Sequence, residues 1–175
     1  TSLKKPEGET TYLQLSPHED PLKRLSEFAV KARINGSVLI VVPEDRELEL
    51  LKVELPDALV LTSSLSRTDR YQNYLTAISS NNQIIIGTRS AIFLTPPDLA
   101  TLIVYRENSQ SHYEPRHPGW NVRDVALLRK SEESLSLYFV GYSPSLEVAR
   151  SIESGEIKLL TKKARLQVST FPQKN

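Results

Sequence analysis

The stretch IIIGTRSAIF, residues 84–93, opens with a short unbroken apolar run that stops at a glycine and a polar turn. An apolar run of this length is typical of a strand that is buried on both faces of a parallel sheet. Five further runs of the same kind occur along the chain, at residues 12–15, 38–42, 59–61, 102–105 and 137–140. The sequence therefore predicts a mostly parallel sheet.

Helical patterns separate these apolar runs. Three of them carry apolar stripes at three- and four-residue spacing, formed by Leu22, Leu25, Ala29 and Ala32, by Tyr71, Tyr74, Leu75 and Ile78, and by Leu146, Ala149 and Ile152. The stripes predict that Tyr71 and Tyr74 are core residues. Asp20-Pro21 and Ser145 suit the starts of helices. Alternating strands and helices predict a three-layer α/β/α fold.

Composition excludes several classes of function. The 175 residues carry a net charge of +1, so binding to nucleic acid requires a local basic patch. The absence of cysteine excludes disulfides and thiolate metal sites, and suits a cytosolic protein. No apolar run reaches the length of a membrane span. The chain begins without Met, and we expect a piece of a larger protein: one domain at residues 12–165 between linkers at 1–11 and 166–175.

Ligands of such sheets bind at the carboxyl ends of the strands. The segments at these ends resemble the first motor lobe of the PriA family of replication-restart helicases, which belong to superfamily 2. The matching segments are residues 41–44 (VVPE), Leu65, Ser66, Arg70 and Tyr74 within residues 63–74, residues 84–93, residues 123–129 (RDVALLR) and residues 144–147 (PSLE). The resemblance extends over residues 12–165 and implies a RecA-like fold, as in P-loop NTPases.

The phosphate loop of that family is missing from this sequence. Such a loop needs glycines, whose backbone N–H groups wrap the phosphates, a lysine, and a hydroxyl for magnesium. Here residues 16–21 read SPHEDP, without glycine or lysine, and no Gly-Lys pair occurs in the 175 residues. The two prolines lack backbone donors, and Glu19 and Asp20 would repel a triphosphate.

The magnesium motif of the family is also altered. With the match anchored on Tyr113 and on Arg123-Asp124, the family's D-E-E-H corresponds to Arg106, Glu107, Asn108 and Ser109. Arg106 then replaces the magnesium carboxylate with a cation, and Glu107 keeps the position of the hydrolytic base. The segment Gly141-Tyr142-Ser143-Pro144 is one residue shorter than the family's coupling motif and lacks its Ala-Thr.

These losses resemble a degenerate subgroup of the family that is familiar among high-GC Gram-positive bacteria. The resemblance implies a pseudo-helicase lobe rather than an enzyme, with no cofactor in this domain. ATP and magnesium belong to active relatives, and the family's zinc ligands lie beyond this chain. The implied partners are forked or single-stranded DNA, other primosome proteins and a second helicase lobe, in the bacterial cytoplasm at the nucleoid, with no membrane.

Two other functions stay open at this stage. The chain could be an NTPase lobe that binds nucleotide through an unusual loop, which predicts measurable affinity for Mg-ATP. It could also be a pure protein-interaction scaffold, which predicts no affinity for forked DNA.

The DNA-binding candidates lie in two segments. Thr88 and Arg89 follow the decisive strand, where Arg89 could contact a phosphate or could brace the loop by pairing with a carboxylate. Residues 112–123 match the family's aromatic-rich loop and offer Tyr113, Arg116, Trp120 and Arg123. Aromatic rings can stack on unpaired bases, or can pack the loop against the core.

Other polar clusters have simpler interpretations. His112 and His117 lack a third metal ligand, so we expect a solvated loop rather than a metal site. Ser63, Ser64 and Ser66 are predicted to be turn and helix-cap residues. The basic cluster of Lys158, Lys162, Lys163 and Arg165 is interpreted as a solvated face or a link to the missing lobe.

Overall fold

The computed structural model describes residues 8–161 of the chain. Its strands are β1 Thr10–Gln14, β2 Ser37–Val41, β3 Leu59–Leu61, β4 Ile84–Gly87, β5 Leu99–Tyr105, β6 Tyr113–Glu114, β7 Trp120–Asn121, β8 Ser136–Gly141 and β9 Lys158–Thr161. Its helices are α1 Pro21–Ala32, α2 Asp45–Glu54, α3 Arg67–Ser79, α4 Val122–Glu132 and α5 Leu146–Glu153. Short 3-10 turns cover Arg33–Asn35, Arg89–Phe93 (the Arg89 turn) and Gln110–His112.

Seven of these strands form one parallel sheet in the order β3-β4-β2-β5-β8-β1-β9. The six strands predicted from the apolar runs are all present. Strand β1 begins at Thr10, inside the segment predicted to be a linker, and β9 is a seventh strand that the sequence did not predict. The predicted linker at residues 166–175 lies outside the described residues. Strands β6 and β7 form a separate antiparallel hairpin.

The sheet separates two apolar cores, which gives the predicted three layers. Successive residues of a strand point to opposite faces, so Leu39 belongs to one core and Ile40 to the other. Helices α1 and α2 cover the face of Ile40, with Leu25 and Leu51 fully buried. Helices α3, α4 and α5 and the Arg89 turn cover the face of Leu39. The fold is therefore a helix–sheet–helix sandwich, as expected from buried parallel strands.

Gly87 ends β4 at the tightest point of the decisive stretch. A Cβ atom at this position would lie 2.2 Å from the Cβ of Ala91 and 3.1 Å from the carbonyl oxygen of Leu61. Only glycine lets the Arg89 turn fold back this closely on β4, and the Ala91 N–H then donates to the Thr88 carbonyl at 2.8 Å. The sharp turn brings Arg89 to the carboxyl edge of the sheet.

The predicted helix starts are confirmed. The Asp20 carboxylate caps α1, with Pro21 at its first position, and Ser145 caps α5 by accepting from the Val148 N–H. Ser66, one of the serines predicted for turns and caps, accepts from the Asp69 N–H at the start of α3.

The stripe of α1 packs against the core as predicted, with Leu25 and Ala29 fully buried, but the stripe of α3 does not. Tyr71 and Tyr74 are 62% and 44% exposed, so the prediction that they are core residues is wrong. Helix α3 covers a strand of only three residues at the edge of the sheet, and it turns Ala77 inward instead. Asn73 holds this orientation by donating to the Val60 carbonyl at 2.8 Å. In α5, Leu146 is also exposed, and Val148 is the buried residue.

The predicted basic cluster near the end of the chain is only partly described. Lys158 is exposed in β9, with its Nζ 3.6 Å from a Glu9 carboxylate oxygen. Lys162, Lys163 and Arg165 lie outside the described residues. In residues 8–161, no helix combines the length and the apolar character that crossing a membrane would require.

Candidate site at the carboxyl edge of the sheet

The loop after β1 leads into α1, and the side chain of Asp20 caps the start of this helix. Oδ1 of Asp20 accepts hydrogen bonds from the backbone N–H groups of Leu22 at 3.0 Å and Lys23 at 3.2 Å. Pro21 contributes no N–H donor. Free N–H groups at a helix start are what a bound phosphate uses. Here the Asp20 carboxylate occupies them, and its charge opposes an anion at the same place.

The end of β5 carries a cation that is paired with α2. Arg106 has a left-handed backbone, with φ of 50°, and its Nη1 lies 3.0 Å from Oε1 of Glu47. The next polar residues also have internal contacts. Asn108 donates to the Ser143 carbonyl at 3.3 Å, and the Ser109 hydroxyl accepts from the Ser111 N–H. These are the positions that the sequence match assigned to the magnesium motif.

Glu107 is buried, with 1% of its surface exposed, and it connects β5 to α5. Its Oε1 accepts from the Ser145 N–H at 2.6 Å, and its Oε2 lies 3.8 Å from Nη1 of Arg123. Burial raises the pKa of the Glu107 carboxyl, against the opposing effects of the Ser145 hydrogen bonds and the Arg123 charge. Glu107 therefore stabilises the junction of β5 and α5.

Arg123 completes this junction from the start of α4. Its guanidinium donates to the Ser145 hydroxyl and to a Glu147 carboxylate oxygen, both at 3.3 Å, and to Asp124 at 3.2 Å. The side chain is only 14% exposed. The structure thus brings together two sequence-predicted positions, Glu107 and Arg123, in a network of internal partners. We call the region formed by Asp20, Arg106, Glu107 and Arg123 the closed edge.

Arg89 has the geometry of a brace. Its Nη1 donates to the Tyr113 carbonyl at 2.7 Å and lies 3.4 Å from the Ser111 carbonyl, and its Nη2 contacts the Glu114 carboxylate at 2.7 Å. These contacts join the Arg89 turn to the start of the β6–β7 hairpin. Thr88, immediately before it, is half-buried, and its side chain makes no capping hydrogen bond.

The β6–β7 hairpin presents the remaining DNA-binding candidates differently. Arg116 is exposed and, within residues 8–161, its guanidinium has no hydrogen-bond or salt-bridge partner. Tyr113 is 50% exposed, whereas Trp120 is half-buried with its ring centroid 4.9 Å from that of Phe93. Arg116 and Tyr113 are accessible to a ligand, and Trp120 packs against the Arg89 turn.

His112 is fully buried, so the expectation of a solvated loop is wrong for this residue. Its Nε2 donates to the Tyr105 carbonyl at 2.8 Å. Burial lowers the pKa of His112, the Tyr105 hydrogen bond opposes this shift, and the charges of Arg106 and Arg89 add to the lowering. His117 is exposed. The described part of the chain contains no group of three or more acidic, His or Cys residues that could hold a metal ion.

Sequence reasoning also missed two side-chain features near the site. Arg129 is buried on α4, and its Nη1 donates to the carbonyls of Ile92 and Leu94 at 2.7 and 2.8 Å. Its place in the RDVALLR segment was a signal that could have drawn attention to it. The second feature is an exposed basic and aromatic surface on α3. The spacing of Arg67 to Tyr71, and of Arg70 to Tyr74, places each pair one helical turn apart and could have predicted it.

The seven-stranded parallel sheet between helices is a RecA-like helicase-lobe fold. The C-terminal domain of Saccharomyces cerevisiae Dbp5 superposes with a TM-score of 0.65 at 12% identity, covering 87% of this chain and 89% of that domain. The Escherichia coli DExH-box NTPase HrpB gives a TM-score of 0.54 at 16% identity, covering 82% of this chain and 20% of HrpB. At these identities the likeness shows the fold alone.

In sequence, the chain is similar to replication restart protein PriA over most of its length. It is 29% identical over 162 residues to the probable PriA of Mycobacterium leprae, and 30% identical over 149 residues to that of Mycobacterium tuberculosis. These matches cover 89% and 81% of this chain, but only 25% and 23% of the relatives. The PriA of Haemophilus influenzae is 29% identical over 138 residues, which cover 76% of this chain and 19% of the relative. No protein-family model matches the chain.

Proposed function

We propose that this chain is a DNA-binding lobe of a PriA-like replication-restart protein, and that it acts without hydrolysing ATP. The Asp20 cap on α1 is the observation that supports the absence of ATP hydrolysis. A phosphate bound after β1 would compete with this carboxylate for the same backbone N–H groups and would meet its negative charge.

The end of β5 supports the same proposal. Magnesium prefers carboxylate oxygens, and the position matched to its ligand is Arg106, a cation already paired with Glu47. Glu107, matched to the hydrolytic base, holds the Ser145 N–H and lies beside Arg123. These residues do not fit a magnesium–nucleotide complex. We therefore infer that they act in folding and that this domain carries no cofactor.

Calorimetric titration of the full chain with Mg-ATP and Mg-ADP tests this part directly. We expect no saturable heat up to millimolar nucleotide. An isolated helicase lobe that retains Gly-Lys-Thr serves as the positive control. Saturable micromolar binding would overturn the proposal and favour an NTPase lobe with an unusual phosphate loop.

The DNA-binding part rests on the β6–β7 hairpin. The guanidinium of Arg116 is exposed and has no protein partner in the described residues, and the same hairpin carries the accessible ring of Tyr113. By homology to PriA, the partners that we infer are forked or single-stranded DNA, a second helicase lobe and other replication-restart proteins. The placement of this chain as the first lobe, at residues 12–165, is part of the same proposal.

Fluorescence anisotropy with labelled forked DNA tests the hairpin. We expect salt-sensitive binding that weakens several-fold in Arg116→Ala, with a salt slope smaller by about one. Lys31→Ala, on α1 across the sheet, removes the same charge as a control and should leave the affinity unchanged. No binding at low salt would favour a pure protein-interaction scaffold.

Arg89 needs a separate comparison because its guanidinium is already engaged. If it braces the hairpin, Arg89→Ala and Glu114→Ala should both lower thermal stability, since each removes one side of the same ion pair. If Arg89 binds phosphate, Arg89→Ala should weaken DNA binding while Glu114→Ala should strengthen it. Anisotropy and thermal melting on both variants separate these two roles.

A further inference from the structure

An open cleft of about 550 Å³ is lined by the segment after β5, by the β6–β7 hairpin and by the starts of α4 and α5. We call it the β5 cleft. Among residues 8–161, the charged side chains that line it are Glu107, Arg123 and Glu147. Neither the proposed DNA interface nor the absence of ATP hydrolysis assigns a ligand to this cleft.

Three carboxylates share one guanidinium at the β5 cleft. Nη1 of Arg123 lies 3.3 Å from Glu147 and 3.8 Å from Glu107, and its Nε lies 3.2 Å from Asp124. Arg150, one turn beyond Glu147 on α5, does not line the cleft. The cleft therefore has an excess of negative charge, which favours a cation and disfavours a phosphate.

One carboxylate oxygen of Glu107 lacks a donor. The side chain is 1% exposed, and its Oε1 accepts from the Ser145 N–H at 2.6 Å. Its Oε2 is buried without a hydrogen-bond partner in residues 8–161, since the 3.8 Å to Arg123 is too long for a hydrogen bond. Buried oxygens without a donor are rare because leaving one unpaired is unfavourable. Although Glu107 belongs to the closed edge, it can therefore accept from a further donor that enters the cleft.

A flat cation suits this cleft better than a compact one. Tyr113 lines it with a ring that is 50% exposed, and a guanidinium group stacks on aromatic faces. Glu107 and Glu147 flank the same nitrogen of Arg123, so a second guanidinium, with five N–H donors in one plane, can meet both carboxylates. An ammonium group has no flat face and holds its water more strongly.

We propose that the β5 cleft receives an arginine side chain of a partner protein. The guanidinium donates to Oε2 of Glu107 and to the Glu147 carboxylate, and it lies against the ring of Tyr113. The inference rests on the proposed association with other replication-restart proteins and names the group that is recognised. It does not depend on DNA binding through Arg116.

The test is titration of the full chain with N-acetylarginine amide, followed through the backbone amide signals in two-dimensional NMR spectra. We expect a saturable shift of the Ser145 signal, because this N–H donates to Glu107. The signal of Lys31, on the other face of the sheet, should not move. N-acetylcitrulline amide has nearly the same shape without the charge and should not bind.

Two substitutions test the carboxylates separately. Glu147→Gln should weaken arginine binding about fivefold through loss of one charged hydrogen bond, and the exposed side chain makes misfolding no concern. Glu107→Gln keeps an oxygen for the Ser145 N–H but removes the charge, and it should also weaken binding. Glu49→Gln, exposed on α2, removes the same charge elsewhere and should bind like wild type.

Each outcome decides the proposal. Arginine binding that is absent with citrulline and weaker in Glu147→Gln supports it. No saturable shift with arginine, equal binding of citrulline, or wild-type affinity in Glu147→Gln overturns it. Deoxycytidine and deoxyguanosine also carry donors that suit a carboxylate. A shift of the Ser145 signal by these nucleosides but not by arginine would show a site for bases and would overturn the proposal too.

Fluorescence anisotropy with forked DNA keeps this proposal apart from the hairpin interface. Arg116→Ala should leave arginine binding unchanged, and Glu147→Gln should not weaken DNA binding. A chain that binds arginine but no DNA contradicts the hairpin interface alone. A chain that binds DNA but no arginine contradicts the β5 cleft alone.

Discussion

The closed edge and the α3 groove, which is the open surface lined by Arg67, Arg70 and Tyr71 of α3 and by Phe93 of the Arg89 turn, both display arginines, but the arginines differ in what surrounds them. At the closed edge, Arg106 is paired with Glu47, and Arg123 contacts Glu107 and Glu147. In the groove, Arg67 and Arg70 have no such partner in the described part of the chain. Motif comparison directs attention to the first region, whereas unpaired charge directs it to the second.

The difference teaches that a charged residue at a motif position need not be available to a ligand. A carboxylate or guanidinium that already has good internal partners must lose them before it can bind anything else, and each such loss costs stability. An exposed and unpaired arginine beside exposed rings has no such contacts to lose. Substitutions at the closed edge should therefore change stability, and substitutions of the exposed groove residues should leave it nearly unchanged.

The largest effect is expected for Arg129→Ala, behind the groove. The variant leaves the buried carbonyls of Ile92 and Leu94 without their donor and also loses the Glu133 ion pair. We expect a loss of about 3 kcal/mol in the free energy of unfolding, measured by urea denaturation. Lys130→Ala, the neighbouring residue, should stay within about 0.5 kcal/mol of wild type. Equal effects of the two variants would contradict the role of Arg129.

The next effect is expected for Glu107→Ala at the closed edge. It removes the acceptor of the Ser145 N–H and the buried partner of Arg123. We expect a loss of about 2 kcal/mol by urea denaturation, without any change in nucleotide binding. Glu147→Ala removes an exposed partner of the same arginine and should be close to wild type. A Glu107→Ala variant as stable as wild type would show that this edge is not held by its charges.

A smaller effect, with a defined direction, is expected from pH. Since burial lowers the pKa of His112, the unfolded chain binds a proton more readily than the folded one as the pH falls below about 6.5. The free energy of unfolding should therefore decrease between pH 7 and pH 5. His112→Asn should flatten this decrease relative to wild type, whereas the exposed His117→Asn should not.

The pH comparison must be made between variants rather than on wild type alone. The raised pKa of Glu107 acts in the opposite direction, because the folded chain then binds the proton more readily and loses stability as the pH rises. Both histidine variants keep Glu107, so its contribution cancels in their difference. If the free energy of unfolding of His112→Asn depends on pH as steeply as that of wild type, the lowered pKa of His112 is ruled out.

The smallest effect on stability is expected for Tyr71→Ala in the groove. The side chain is 62% exposed, so its removal should change the free energy of unfolding by no more than about 0.5 kcal/mol. Ala77→Leu, on the buried side of the same helix, should cost about 1–3 kcal/mol through overpacking. If thermal or urea denaturation shows Tyr71→Ala to be the more destabilising of the two, α3 packs on the sheet through Tyr71, as the apolar stripe predicted.

The sequence predicted the strands better than the helices. Six strands were predicted because a strand buried on both faces is a continuous apolar run, which can be recognised without its neighbours. Helices α2 and α4 were not named, since their apolar patterns are weaker. The stripe of α3 misled because β3, which the helix covers, has only three residues, and Asn73 and Ala77 set the rotation of the helix.

The amino-acid sequence alone determined the layered sheet, the caps at Asp20 and Ser145, and the absence of a Gly-Lys-Thr loop, because each depends on residues that are adjacent in the chain. The tertiary structure alone decided that Arg89 reaches Glu114, that Arg106 reaches Glu47 and that, among residues 8–161, Arg70 reaches no acidic group. Such pairings depend on which strand ends and helix faces meet after the chain has folded. Residues distant in sequence make those contacts, so local sequence patterns cannot predict them.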